Sequence, residues 1–233
     1  VGVGIDRSDF GSRSEISRIT ITIANEGDSV IHHGVKRSGR RVRQTLTAFE
    51  NGPSVLVDMA RRADELTFRF DGGRSISLPN VPGARVPVYE ILAEDAYRLD
   101  WFTSELPPEF GVLDIGGHIG CFSVALAALR PGARVWAFEA SPSTAAYTER
   151  NVQQNGFADR VTVKNVAVSS SAGTLEFADN GAASGLNGIT SPADAPLISV
   201  PAITFADALA LSDLPVRLVK IDTEGAEYDI VLG

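Results

Sequence analysis

The chain has little of what would staple it, anchor it in a bilayer or let it grip a polyanion. Its 233 residues include one cysteine, Cys121, so no disulfide forms within it, and such sparing use fits a reducing compartment. Basic residues are the minority charge: 21 Lys and Arg against 29 Asp and Glu give a formal net charge of −8. Holding nucleic-acid phosphates takes clustered Lys and Arg, so nucleic acid is not expected as the main partner. No apolar run suits a membrane span; the longest candidate, Val112 to Leu129, is broken by Asp114, His118 and glycines. The opening lacks a secretory pattern, which leaves a cytoplasmic location as the expectation. Met59 is the only methionine and the first residue is Val1, so the sequence is expected to continue upstream.

What is there suffices for a full core: 44% of residues are hydrophobic and 21% charged, enough for one large domain or a domain with an extension. Residues 1–14 are polar and Gly/Ser-rich. Ile19, Ile21 and Ile23 alternate among polar neighbours and read as a half-buried strand, with Ile16 just before it. Lys36 to Arg43 carries five basic residues around a Ser-Gly and reads as a solvated turn, with an anion contact as the alternative. Ser54 to Asp58, Glu65 to Phe70 and Arg74 to Leu78 read as strands, the last two joined by an Asp71-Gly72-Gly73 hairpin turn. Residues 1–85 thus form a β-rich region, closed by Pro79, Pro82 and Pro87. Val88 to Asp100 reads as helical. From there strands and helices alternate: strand 111–116, helix 119–130, strand 133–139, helix 143–154 and strand 161–165. Ser141-Pro142 starts the second of these helices and Gly156 stops it. Thr174 to Ala178 and Ile198 to Ile203 are further strands, Thr204-x-x-Asp207 opens a helix as a capping box, and Val216 to Asp222 is another strand of a parallel sheet.

The most informative stretch is Val112-Leu113-Asp114-Ile115-Gly116-Gly117-His118-Ile119-Gly120. An apolar strand ends in an acid and a glycine turn, a helix follows, and a second apolar strand closes on Glu139. This is the layout of a βαβ unit for an adenosine-containing cofactor: the glycines admit close backbone approach, the helix start offers N–H groups, and Glu139 can accept two ribose hydroxyls. A nicotinamide fingerprint would read G-x-G-x-x-G, whereas Gly116, Gly117 and Gly120 put the middle glycine out of register. Asp114 beside the turn is an awkward neighbour for a pyrophosphate and a good one for an ammonium and a sulfonium. S-adenosylmethionine carries both, plus a carboxylate for the helix start.

With those residues in view, the chain resembles the FkbM family of S-adenosylmethionine-dependent methyltransferases. The resemblance runs from about Tyr89 to Gly233 on the blocks VLDIGGHIGCFS, WAFEASP and LVKIDTEGAEYDIVLG, of which the last is the specific one. Ala140 departs from the proline frequent in the family at that place. The resemblance implies an α/β fold, the Rossmann-like doubly wound sheet of class I methyltransferases, over residues 86–233, with the β-rich region as an N-terminal extension. It also implies that Gly116, Gly117 and Gly120 line the methionine end of the donor, Glu139 the ribose, Asn165 and Val166 the adenine, and Asp222 the methyl group. Such a sheet normally has about three more strands than end by Gly233, so the chain is expected to continue.

Methyl transfer needs alignment first and a base second. Asp222 is the leading candidate to orient donor or substrate, and Glu224 is either a base or a helix-start residue. Glu227 reads as one more exposed helix acid, and Lys220 as a partner for one of these acids. His118 shapes the turn or touches the cofactor, His32 and His33 read as surface residues, Tyr97 packs over the cofactor or in the core, and Cys121 packs the first helix turn. Carboxylates near Asp222 would also suit a hard divalent cation, but no ligand set is complete and no metal is assigned. The loop from Asn180 to Pro196 has the composition of a lid or of a plain surface excursion. Asp222-Thr223-Glu224 stands where base-methylating enzymes often carry Asn/Asp-Pro-Pro-Tyr, which favours transfer to a hydroxyl of a small molecule such as a natural product or sugar. A nicotinamide oxidoreductase and a non-catalytic donor-binding module are the alternatives, and a homodimer is compatible.

Overall fold

The computed structural model describes residues 2–4, 20–23, 34–184, 187–188, 196–223 and 227–232. In chain order the elements are β1 (Gly2–Gly4), β2 (Thr20–Ile23), α1 (Gly34–Ala48), α2 (Gly52–Arg61), β3 (Glu65–Phe70), β4 (Arg74–Pro79), α3 (Pro82–Pro87), a π-helical turn (Val88–Ala93) and α4 (Leu99–Thr103). The core follows as β5 (Phe110–Ile115), α5 (Cys121–Leu129), β6 (Ala133–Phe138), α6 (Pro142–Gln154), β7 (Val161–Lys164), β8 (Ala167–Ser169), β9 (Gly173–Ala178), β10 (Leu197–Thr204), α7 (Phe205–Ala210), β11 (Val216–Ile221) and α8 (Glu227–Leu232).

The main sheet runs β1-β2-β11-β5-β6-β7, parallel throughout except for β1. Because strand side chains alternate, β5, β6 and β11 feed two cores. Val112, Val135 and Leu218 pack on one side with Phe122, Val124 and Val152 of α5 and α6. Leu113, Trp136 and Val219 pack on the other with Ala208 of α7 and Ile230 of α8. Helices on both faces of a parallel sheet make this the doubly wound α/β arrangement expected of class I methyltransferases. β2 runs parallel to β11 and pairs Thr20 with Leu218 and Ile23 with Ile221. The expected strand is therefore present at residues 20–23 and joins the main sheet, while Ile16 and Ile19 lie outside the described residues.

Two expectations are corrected between residues 34 and 61. Ser54 to Asp58 is not a strand but the middle of α2, which starts with proline in its first turn. A short β-branched run such as Val55-Leu56-Val57 does not separate buried strand from helix, whereas Pro53 presets helical φ. Asn51, the residue before α2, uses its side chain on the hairpin: it donates to the Thr67 carbonyl at 2.8 Å and accepts from the Arg69 amide at 2.9 Å. The basic run Lys36 to Arg43 is likewise not a turn but the first half of α1, whose inner side carries the buried Thr45. Among the described residues, the stretch read as β-rich thus holds α1, α2 and the start of α3 besides β1, β2 and the β3–β4 hairpin, and that hairpin turns at Asp71-Gly72-Gly73 as expected. Val88 to Asp100 is only partly helical; the π-helical turn ends at Ala93 and α4 begins at Leu99. None of the described helices is long and apolar enough to cross a membrane.

Candidate active site

The site forms where β5, β6 and β11 end side by side, beyond the carboxyl edge of a parallel sheet, the usual place for ligands in such folds. β5 hands over to a turn pinned from the neighbouring strand: the amides of Gly116 and Gly117 both donate to the Phe138 carbonyl, at 3.0 and 2.8 Å. Gly116 has φ +75°, and a Cβ there would lie 1.9 Å from the Asp222 carbonyl oxygen. Gly120 has φ +84° and ends the turn as the residue before α5, which has no side-chain cap. Gly117 differs from both: its φ is ordinary, and among the described residues a Cβ would meet nothing nearer than 3.5 Å. Packing of the described residues does not demand a glycine at 117, whereas a ligand lying against the turn would.

Lys220 lies directly opposite Asp114 in the parallel register of β11 and β5. Its ammonium is 3.1 Å from Asp114 Oδ1 and 3.7 Å from Asp222 Oδ2, and it also donates to the Gly116 carbonyl. Ser123 of α5 donates to Asp114 Oδ2 at 2.6 Å, and Tyr97 donates to Asp222 Oδ2 at 3.3 Å. Burial alone would favour a neutral amine at Lys220, but Asp114 and then Asp222 outweigh it and hold the charge. Of the two acids beside Lys220 only Asp222 opens to solvent, with a side chain 39% exposed. Burial keeps the Tyr97 phenol protonated, so it stays a donor.

Glu139, at the tip of β6, is buried and braces the turn: Oε2 accepts from the His118 amide at 2.8 Å and Oε1 from the Ser141 amide at 3.0 Å. Burial pushes its carboxyl up to about 7 even though both amides favour the ionised form. His118 has a left-handed backbone, φ 49°, and its carbonyl accepts from the Thr148 hydroxyl. Burial, then repulsion from Lys220, lowers the imidazole to about 4, so it is neutral near pH 7. Its Nδ1 is buried with no hydrogen-bond partner among the described residues.

Of the residues singled out in the sequence, Asp114, Gly116, Gly117, His118, Gly120, Glu139, Asp222 and Tyr97 converge here. Asp114 faces inward, wholly covered by Lys220 and Ser123. Asn165 stands past β7 but spends its amide on the carbonyls of Glu139 and Ala140, at 2.8 and 2.9 Å. Val166 packs into the core of the α7–α8 face. Glu224, His32 and His33 lie outside the described residues. Glu227 is not a bare surface acid: its Oε1 accepts from the Thr223 amide at 2.9 Å. Of the loop Asn180 to Pro196, residues 185–186 and 189–195 lie outside the described residues. The part from 179 to 184 is tied to the start of α6, with Ser141 Oγ donating to Asp179 Oδ1 at 3.2 Å and the buried Ala183 donating its amide to Thr144 Oγ1 at 2.8 Å. Sequence reading paired Lys220 with one of the nearby acids, and Asp222 is one, but it did not find Asp114.

Similarity to known proteins bears on the same residues. The chain is 31% identical over 135 residues to the AMB antimetabolite synthetase AmbE of Pseudomonas aeruginosa, covering 57% of this chain and 6% of that protein. It is 32% identical over 81 residues to the release factor glutamine methyltransferase of Bifidobacterium longum, covering 35% of this chain and 28% of that one. The chain therefore spans well under a third of the length of either curated relative. Among solved structures it is similar to TYW2 of P. horikoshii in complex with MeSAdo, at 19% identity and TM-score 0.33 over 45% of this chain and 36% of that one. It is also similar to StiE O-MT residues 961–1257, at 16% identity and TM-score 0.29 over 37% of each chain. The family model described as the methyltransferase FkbM domain matches residues 114–233, just over half of the chain. That match starts at Asp114 and takes in the carboxyl-edge cluster apart from Tyr97, and by it the chain belongs to the FkbM methyltransferase domain family.

Proposed function

We propose that the chain is an S-adenosylmethionine-dependent methyltransferase acting on a hydroxyl of a small molecule, of the kind found in natural products or sugars. The observation that carries the reading is the turn between β5 and α5: a glycine at 117 that no atom of the described residues requires, beside the buried carboxylate of Glu139. The residues present fit the donor. Glu139 has lone pairs left on both oxygens for ribose hydroxyls, the uncapped start of α5 offers N–H groups to a carboxylate, and the solvent-facing acid at Asp222 suits an ammonium or a sulfonium. His118 Nδ1 would accept from an ammonium or hydroxyl brought into the turn.

When bound, the donor supplies an electrophilic methyl on a sulfonium sulfur. The chain's own residues then have two tasks. Asp222, steadied by Tyr97 and Lys220, holds the acceptor hydroxyl in line and takes its proton as the new C–O bond forms and the S–C bond breaks. Glu224, two residues on, is the other carboxylate proposed for that proton. The buried network beneath them, Asp114, Lys220 and Ser123, keeps the strand tip rigid.

Transfer of labelled methyl from S-adenosylmethionine to a panel of hydroxylated acceptors tests the reading. Product on oxygen supports it, product only on amines overturns the oxygen assignment, and donor binding without transfer across the panel indicates a binding module. Thermal stabilisation by NAD and not by S-adenosylhomocysteine would overturn the cofactor assignment itself.

A further inference from the structure

Away from the carboxyl-edge cluster, α1, α2 and α3 enclose a groove of about 220 Å³ floored by Leu56, Met59 and the ring of Tyr89. Its walls are apolar and open to solvent, Val42 of α1 being 45% and Val86 of α3 43% exposed. One turn on from Val42, Leu46 is 49% exposed and extends the stripe along α1. Two arginines line the groove. Arg41 is held, stacked 4.4 Å over Tyr89 and paired with Glu94 at 2.8 Å. Arg85 is half-buried, and its guanidinium has no ion pair or hydrogen bond among the described residues. Also on α1, Arg40 shares Glu94 with Arg41, at 3.3 Å, while Arg43 is exposed and carries its charge to solvent beside Val42.

We infer that this groove docks an acidic amphipathic helix of a protein partner. A volume of 220 Å³ falls below the roughly 300–1,000 Å³ of small-molecule pockets and suits one or two inserted side chains of a larger body. The exposed Val42 and Val86 want an apolar face, while Arg85 and the exposed Arg43 want carboxylates along its edge. Nucleic acid fits less well, because the groove offers aliphatic walls and its one aromatic ring, that of Tyr89, is buried and already covered by Arg41.

The test uses the full chain and a fluorescein-labelled helical peptide with leucines at i, i+3, i+4 and i+7 spacing and glutamates beside them. Its controls are a shuffled peptide of the same composition, a version with lysine for glutamate, and a single-stranded oligonucleotide. By fluorescence anisotropy the acidic amphipathic peptide binds, the shuffled and lysine peptides do not, and binding weakens at roughly 0.3 M salt. Arg85→Glu and, independently, Val42→Glu each weaken it by roughly tenfold or more, with unchanged thermal midpoints. Equal binding of the shuffled peptide, no binding at all, or insensitivity to both substitutions overturns the inference. So does preferential binding of the oligonucleotide, or sedimentation showing a dimer of the chain that Arg85→Glu dissociates, which would make a second copy the occupant.

Discussion

At the scale of single residues, the ion-paired Asp114, Lys220 and Asp222 tie two strand tips together inside the protein. Asp114 is wholly buried, so Lys220→Met leaves a charge with no counter-ion and should cost about 3–5 kcal/mol in urea unfolding. Asp114→Asn in the same background should recover part of the loss, because the two sites are coupled. Glu139 makes a pH-dependent prediction. Burial raises its carboxyl to about 7, so the ionised form is the costly one in the unliganded fold. That cost is absent below the ordinary carboxylate range, grows as pH rises through it, and is complete above about 7. Ribose hydroxyls donating to Glu139 would favour the ionised form. S-adenosylhomocysteine should therefore bind about tenfold more tightly near pH 8 than near pH 6, with proton release seen by calorimetry in buffers of different ionisation heat. Glu139→Gln should flatten that profile and weaken binding by about 1.5–3 kcal/mol. Glu139 was legible as an acid closing an apolar strand. Lys220 was legible as a partner for one of the nearby acids, and Asp222 at 3.7 Å is one; its closer partner Asp114 was not, because that residue sits on a neighbouring strand that only the sheet register brings opposite.

At the scale of elements, the turn after β5 separates two glycines that look alike in the sequence. Gly116→Ala puts a Cβ 1.9 Å from a backbone oxygen at a left-handed φ, and should cost more than about 1 kcal/mol and disrupt the turn. Gly117→Ala meets only ordinary contacts, and should leave stability unchanged or raise it by up to about 1 kcal/mol while abolishing donor binding. Thermal melts paired with S-adenosylhomocysteine titrations distinguish the two. Local signals were read well where they carry their own hydrogen bonds. Ser141 caps α6 by accepting from the Thr144 amide, and Thr204 and Asp207 close a full capping box on α7. They were read poorly at α1 and α2. Charge-rich and β-branched runs have no strong local preference, and those helices are fixed by contacts with the hairpin and with Tyr89, such as the 2.7 Å bond between the hydroxyls of Thr45 and Tyr89.

At the scale of the whole molecule, one core joins the first third of the described residues to the sheet. Phe49, Val55, Leu66 and Phe68 belong to the same buried cluster as Phe110, Val124 and Val152. Asn151 of α6, itself buried, bonds both the amide and the carbonyl of Ser77 in β4, at 2.8 and 2.9 Å, and the Ile119 carbonyl in the turn at 2.8 Å. Heat should therefore unfold the described body in one transition followed equally by near- and far-ultraviolet circular dichroism, and removing residues 1–85 should yield aggregated protein. Asn151→Ala should lower the stability of the whole by about 1–3 kcal/mol, since it strands buried groups on two elements.

The amino-acid sequence by itself determined the alternation of strands and helices from residue 110 to 164, the strand at 216–221, the glycine turn and the acid at each of three strand tips. Those depend on periodicity, capping and φ, which act over a few residues. Only the tertiary structure decided that Lys220 neutralises Asp114, that Asn165 spends its amide on the backbone and that residues 34–80 share the sheet's core. Each of those depends on groups far apart in the chain meeting where water is excluded, and no local pattern records which will meet.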